Sequence, residues 1–331
     1  MRLAVVLFNL GGPDSLDAVQ PFLRNLFSDP AIIGLPAPLR LPLAWLIARR
    51  RAPVARKIYE HMGGSSPIFA QTRKQADALE KALSCDGVEA KAFVAMRYWH
   101  PFSNGAARAV KAFDADKIVL LPFYPQYSTT TTASSLKDWA RAAKKVGLNA
   151  PTSRICCYPA ENGFIAAAVA HIRNALAGAS ADISYRLLLS AHGLPKRVIR
   201  RGDPYQHQVE QSAAAIVTAL GMPALDARVC YQSRVGPLEW IGPATDDEIR
   251  RAGAEGKGVI IAPVAFVSEH SETLVELDIE YRKLAQEAGV PDYRRAATAG
   301  IHPDFIAGLA GLVRRAADGE TAICNDGSGK H

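Results

Sequence analysis

The sequence predicts an α/β fold built from two similar doubly wound, Rossmann-like parallel-sheet domains facing each other across a cleft. Three observations predict it. Short apolar runs alternate with helical stretches along the chain, the pattern of βαβ units. A chain of 331 residues has room for two medium α/β domains. The halves also echo each other. Asn9-Leu10-Gly11-Gly12-Pro13 closes the first strand of one half, and His192-Gly193-Leu194-Pro195 closes that of the other. Arg97-Tyr98-Trp99-His100-Pro101 answers the run from Arg234 to Trp240, and Pro122-Phe123-Tyr124 answers Pro263 to Phe266.

Taken in order, strands are expected at 2–9, 89–96, 117–124 and 153–158 in a first domain over 1–160. Further strands are expected at 185–191, 227–232, 258–266 and 293–298 in a second domain over 161–302. Asp203 before Pro204 reads as an N-cap with proline at the first helical position. Thr245-Asp246-Asp247-Glu248 reads as a capping box. After the strand at 258–266, the helical spacing of Leu274, Leu277 and Tyr281 predicts a helix capped by Ser268 and ended by Gly289 and Pro291. The polar tail 325–331 reads as disordered.

Composition narrows the class. The chain is 49% hydrophobic and 21% charged, ordinary for a globular protein. Met1 to Phe8 runs straight into a strand without a small-residue cleavage site of the secretory kind. Five cysteines without regular spacing suggest reduced thiols in a cytoplasmic protein, with Cys156 and Cys157 as small buried residues of a strand. A net charge of +7 favours anionic partners. Nucleic acid is not expected, because no basic stripe with stacking aromatics appears. The densest basic cluster is Arg49-Arg50-Arg51, directly after the apolar, Trp-containing stretch from Ile32 to Ile47. That stretch is too short and too broken by prolines to span a bilayer. An apolar segment with a basic flank suits a surface that lies on a membrane, and equally an ordinary core helix with a solvated end.

The candidate chemistry sits at strand ends. His192 closes the apolar run from Tyr185, where an open α/β sheet binds its ligands, although a histidine that merely caps the strand would occupy the same place. Beyond the strand at 258–266 come Glu269 and His270, then Glu272, Glu276 and Glu280 at i, i+4 and i+8, one face of an α-helix. Such a row is often a solvated face. Starting at the ligand-binding end of a sheet, it could instead pass cations or protons.

The chain resembles the ferrochelatases, enzymes that insert ferrous iron into protoporphyrin to make protohaem. The resemblance rests on Asn9 to Pro13, Gly63-Gly64-Ser65-Ser66-Pro67, Met96 to Pro101 and Tyr124-Pro125-Gln126-Tyr127-Ser128. It continues through Ser190 to Pro195, Gly202-Asp203-Pro204-Tyr205 and Gln232-Ser233-Arg234-Val235-Gly236-Pro237. Each piece is weak alone; their order and span make the match specific. The resemblance implies His192 and Glu272 as the catalytic pair and as ligands of the incoming iron, with Glu269, His270, Glu276 and Glu280 as a supporting acidic path. A neutral imidazole is available as a base at pH 7, and ferrous iron accepts imidazole and carboxylate together. Leu10, Leu35, Pro36, Tyr124 and Trp240 are implied as the apolar porphyrin clamp, with Arg97, Arg40 and Ser128 as partners for its propionates. Core packing is an equally good use for any one of these aromatics. The implied partners are protoporphyrin IX, ferrous iron as substrate, haem as product, and a membrane surface touched peripherally. The resemblance also implies that helix 303–317 packs back on the first domain.

One departure stands out. Some ferrochelatases hold an iron–sulfur cluster on cysteines near the C-terminus, in some members with one from the Tyr-Pro-Gln-Tyr-Ser loop. Here that loop continues as Thr129-Thr130-Thr131-Thr132, and only Cys324 lies near the C-terminus. No cluster is expected. Two other classes compete with this reading. A porphyrin carrier would share the cleft but would not need the His192 and Glu272 pair. A chelatase for coproporphyrin or cobalt would share the pair but not the preference of apolar lips for a dicarboxylate.

Overall fold

A computed structural model describes residues 1–84, 87–234 and 236–320. The described residues divide into two compact units: Met1–Cys157 with 309–320, and Tyr158–Gly308.

In the first unit, β1 (Arg2–Asn9), β2 (Glu89–Met96), β3 (Lys117–Pro122) and β4 (Thr152–Arg154) form a parallel sheet in the order β2-β1-β3-β4. β1 is central and buried from Leu3 to Asn9, which explains its unbroken apolar run: a parallel strand is covered on both faces. Helices α1 (Val19–Phe27), α2 (Ala37–Glu60), α3 (Ile68–Leu83), α4 (Ser103–Phe113) and α5 (Thr132–Val146) connect the strands. One core joins Val6, Phe8, Phe93, Val110, Ile118 and Trp139. A second joins Val19, Phe22 and Leu23 of α1 to Ala48, Ala52 and Tyr59 of α2. The buried face of α2 is mostly alanine, at Ala44, Ala48 and Ala52.

The second unit repeats the plan. β5 (Tyr185–His192), β6 (Asp226–Gln232), β7 (Gly258–Pro263) and β8 (Tyr293–Arg295) form a parallel sheet in the order β6-β5-β7-β8. Between them run α6 (Asn162–Ala177), α7 (Lys196–Ile199), α8 (Tyr205–Leu220) and α9 (Thr245–Ala254). β7 is followed by a π-helix (Glu272–Glu280) and α10 (Tyr281–Glu287). The last helix, α11 (Pro303–Ala317), starts in the second unit, where Phe305 lies against Tyr158 and Phe164. From Leu309 it counts with the first unit, where Lys117 Nζ donates to the Ala317 carbonyl at 2.8 Å and Arg314 Nη2 to that of Ala82 at 2.6 Å.

Both sheets therefore have the predicted doubly wound parallel order. The chain leaves the central strand in one direction, then returns to fill the other side. The switch point falls between β1 and β3, and between β5 and β7, and ligands of such sheets bind beyond the carboxyl ends there.

Several local expectations are corrected. β3 and β7 end at Pro122 and Pro263, each with one further backbone bond to the central strand, from the Phe123 N–H to Phe8 and from the Val264 N–H to Ser190. The edge strands β4 and β8 are three residues each. Cys156 and Cys157 therefore lie beyond β4 and are partly exposed rather than buried. Cys156 is disulfide-bonded, while Cys157 and Cys230 are in no disulfide, so the expectation of wholly reduced thiols fails at Cys156. Thr245 does not open a capping box. Its hydroxyl turns inward to Ser190 at 3.0 Å, and Glu248 is buried and paired with Arg251. Asp203 caps α8 from one position further out, accepting from the Tyr205 N–H at 3.0 Å. Pro42 and Pro53 do not break α2, which runs through both. The polar tail 325–331 and Cys324 lie outside the described residues.

Candidate active site

At the second unit's switch point, His192 is the last residue of β5 and Glu272 the first of the π-helix after β7. His192 Nδ1 lies 2.8 Å from Glu272 Oε2. An ionised carboxylate only accepts, so Nδ1 carries the proton and Nε2 keeps its lone pair. The backbone is held from below: Tyr205 OH donates to the His192 carbonyl at 3.0 Å. The next residue must be glycine, because a Cβ on Gly193 would lie 2.9 Å from the Gln232 carbonyl.

The segment expected as an α-helix from Ser268 instead starts at Glu272 and is a π-helix of nine residues. Its closing bond runs from the Tyr281 N–H to the Glu276 carbonyl, five residues back. Such turns are rare and are found mostly at functional sites. Both Glu272 and Glu276 reach Ser233, just past β6. Ser233 Oγ lies 3.2 Å from Glu272 Oε2 and 2.6 Å from Glu276 Oε2. Glu276 also accepts from the Ser233 N–H at 2.8 Å, Gln232 Nε2 at 3.0 Å and Tyr281 OH at 3.2 Å. Ser233 holds φ at +62°, a left-handed conformation that costs on the order of 1–3 kcal/mol in a non-glycine residue. That turn is what aims both its N–H and its hydroxyl at the carboxylates.

Electrostatics separate the members of this group. Burial alone would lower the His192 pKa, but the Glu272 charge and hydrogen bond, with Glu276 behind, raise it above 6.5. Burial opposes ionisation of Glu272, yet His192, His270 and Ser233 overcome it and hold this carboxyl well below the usual range. Glu276 goes the other way: burial and the neighbouring Glu272 charge push it up. One carboxyl is thus held ionised and its neighbour is biased towards keeping a proton, with the Ser233 hydroxyl between them. Opposed environments of this kind are how acid and base roles are divided.

The other acidic candidates are placed differently. Glu269 is tied to Arg295 at 3.0 Å and to the Thr298 N–H at 3.0 Å; burial resists ionisation, but these partners lower its pKa. It anchors the loop rather than joining the row. His270 is buried, donates from Nδ1 to the Ser268 carbonyl at 3.1 Å and packs on Phe266; burial lowers its pKa. Glu280 is exposed. Trp240 packs against Gly193, the residue after His192, its Cε3 3.5 Å from where a Gly193 Cβ would sit. Among the described residues, no three His, Cys, Asp or Glu side chains are grouped to enclose a metal ion.

The corresponding edge of the first unit carries Leu10 after β1, Arg97 after β2, and Tyr124 and Ser128 after β3. Arg97 is already engaged: Nη2 pairs with the buried Asp29 at 2.7 Å and Nε donates to Ser134 Oγ at 2.7 Å. Asp29 also accepts from Tyr98 OH at 2.8 Å, from Ser134 Oγ, and from the Ala31 N–H at 2.9 Å. Arg40 donates to the Ser28 carbonyl at 2.9 Å and to that of Leu35. Ser128 is buried against Thr130, with 2.8 Å between hydroxyls. Tyr124 OH is buried beside the Ser135 hydroxyl. Leu35 and Pro36 are exposed at the start of α2. Asp29 therefore ties the segment that carries them to Arg97.

Removing one partner of a largely buried ion pair strands the other charge. Asp29→Asn should lower stability by about 3 kcal/mol, measured by denaturant unfolding. Burial resists ionisation of Asp29, but Ser134, the Ala31 N–H and Arg97 hold its pKa below 3.8. Its contribution is present above the unfolded value and is lost as pH falls through the lowered folded value. The gap between wild type and variant should close over that acid range; a gap that persists there would assign the loss to packing.

Ser233, Gln232 and Tyr205 stand in the matched motifs without a role assigned from sequence, and Asp29 is in none of them. Ser233 had a signal: it follows the β6 run at the same sheet edge that marks His192.

Among solved structures, SirB from Bacillus subtilis with Fe3+ aligns with a TM-score of 0.55 at 14% identity, covering 97% of this chain and 99% of that one. DR2241 from Deinococcus radiodurans, described as similar to chelatases, aligns with a TM-score of 0.54 at 14% identity, covering 98% of this chain and 56% of that one. The fold is that of the chelatases. Sequence narrows the class: the ferrochelatase family model matches residues 2–317, and the chain belongs to that family. A ferrochelatase of Caulobacter vibrioides is 58% identical over 95% of this chain and 90% of its own length. One of Phenylobacterium zucineum is 57% identical over 96% and 92%.

Proposed function

We propose that this chain inserts ferrous iron into protoporphyrin IX to give protohaem, the lyase reaction that ends haem biosynthesis. The observation that carries the mechanism is the 2.8 Å contact between His192 Nδ1 and Glu272 at the switch point. In the reaction two pyrrole N–H protons leave as Fe2+ enters, so charge balances. His192 Nε2 takes one pyrrole proton, and the ionised Glu272 stabilises the imidazolium that forms; the second proton leaves on water shed by the cation. Ser233 Oγ, in contact with both carboxylates, offers the proton a way from Glu272 to Glu276. Before it takes that proton, His192 Nε2, with the second Glu272 oxygen, can serve as a transient ligand while the cation sheds water. Two protein donors leave the iron free to move on to the ring nitrogens.

No resident iron–sulfur cluster is proposed. Cys156 is disulfide-bonded and Cys230 is fully buried with its thiol pKa pushed up to about 12 by burial, so the described residues do not supply four thiolates.

The test is anaerobic incubation of the protein with ferrous iron and protoporphyrin IX, following haem absorption. Turnover with protoporphyrin supports the reading. Turnover only with coproporphyrin or only with cobalt would make it another chelatase, and tight porphyrin binding without turnover would make it a carrier.

A cytoplasmic protein seated peripherally on the inner membrane is proposed as the setting. No helix of the described residues is long and apolar enough to cross a membrane. Leu35, Leu39, Leu41, Trp45 and Leu46 are exposed along the start of α2, and Arg49 lies 5.4 Å over the Trp45 ring. An exposed apolar row ending in cations suits an interface between acyl chains and anionic headgroups, each cation contributing about 1 kcal/mol there. Replacing Arg49, Arg50 and Arg51 by serine should cut co-sedimentation with anionic liposomes at least tenfold; equal binding by both proteins would remove this role.

A further inference from the structure

We infer that a cavity beside Trp240 in the second unit docks a carboxylate side arm of the tetrapyrrole, an inference that rests on the porphyrin reading above. The cavity has a volume of about 390 Å³ and is lined by Lys196, Ile199, Arg200, Gln206, Trp240 and Ile241, with Gly242. That is within the range of small-ligand pockets. Its wall is mixed in the way a ring with acidic arms requires: an indole and two isoleucines together with two cations and an amide.

The two cations share one carboxylate. Lys196 Nζ lies 2.8 Å from Glu239 Oε1 and Arg200 Nη2 lies 3.0 Å from Glu239 Oε2. Two positive charges on one negative leave a net positive charge facing the cavity. The pairs are also solvent-accessible, with Lys196 and Arg200 side chains 44% and 68% exposed, so they are worth little and are easily exchanged. Glu239 thus marks where an incoming carboxylate would bind and competes with it. The Trp240 indole N–H is shielded without an acceptor among the described residues.

The cavity is joined to the catalytic histidine by backbone. Lys196 follows His192 by four residues, a span of at most about 14 Å. The Lys196 N–H donates to the Glu239 carbonyl at 2.8 Å and the Ile241 N–H to that of Leu194 at 3.0 Å. The same two segments, 192–196 and 239–241, therefore hold both the base and the cavity. The alternative cations favoured by sequence, Arg97 and Arg40, are already engaged with Asp29 and with backbone carbonyls.

The test measures KM and kcat of iron insertion for wild type, the double variant Lys196→Ala/Arg200→Ala, and Glu239→Ala, with protoporphyrin and with its dimethyl ester. Porphyrin binding by fluorescence quenching is measured alongside. The double variant should raise KM and the dissociation constant for the free acid about five- to tenfold with kcat within twofold. Glu239→Ala should lower both. The ester should be indifferent to all three. Variants with unchanged affinity for the free acid, or ester binding that falls in parallel, would overturn the proposal. So would inorganic phosphate stabilising wild type but not the double variant without competing with porphyrin, which would make the cavity a small-anion site. If wild type binds porphyrin but never inserts iron, the functional reading fails, while the binding arm still decides the cavity.

Discussion

Replacing His192 by alanine abolishes iron insertion and leaves the fold and porphyrin binding largely intact. The loss expected is about 10²–10⁴-fold in kcat, the range for removing a positioned base. The residue can be spared structurally because its side chain is 37% exposed and makes one hydrogen bond, to Glu272. The contact that positions β5 is made by its carbonyl, to Tyr205. Thermal unfolding and porphyrin fluorescence quenching supply the controls. More than a few per cent of wild-type turnover in a folded variant would remove His192 from the chemistry.

The carboxylates should differ in severity. Glu272→Gln keeps the shape but loses the charge that stabilises the imidazolium, and should lower kcat on the order of 10²-fold. The His192 pKa should fall as well, because Glu272 is what raises it against burial. Glu276→Gln turns an amide towards Ser233, Gln232 and Tyr281, all of which donate to the carboxylate, so it should cost stability as well as a smaller part of the turnover. Glu280→Gln should be silent, because Glu280 is exposed. Equal losses at Glu272 and Glu280, or silence at all three, would leave the row as an ordinary helix face.

The large architecture was legible because buried parallel strands must be apolar along their length. β1, β2 and β5 stand where their runs of valine, leucine, phenylalanine and alanine put them, and β6 where the shorter run Val229-Cys230-Tyr231 does. Strand ends were less legible, since the apolar runs continue past Pro122 and Pro263 where β3 and β7 end. The His192 and Glu272 juxtaposition followed from the strand-end rule together with family resemblance. The π-helix did not, because apolar residues spaced for an α-helix do not reveal a widened turn; what fixes it is the pull of Glu272 and Glu276 onto one serine. The Ser233 backbone twist is likewise a tertiary effect, since nothing in Gln232-Ser233-Arg234 demands a positive φ. Arg97 and Arg40 looked like free cations because their partners, Asp29 and two carbonyls, are distant in sequence or belong to the backbone.

The central claim is that His192 and Glu272 act as one unit in taking the pyrrole proton and holding the incoming cation. The most direct measurement is kcat for anaerobic iron insertion into protoporphyrin IX by wild type, His192→Ala, Glu272→Gln and the double variant. Residues that act as a unit are grossly non-additive. The double variant should be no slower than His192→Ala alone. Losses that multiply across the two substitutions would show two independent contributions and contradict the account.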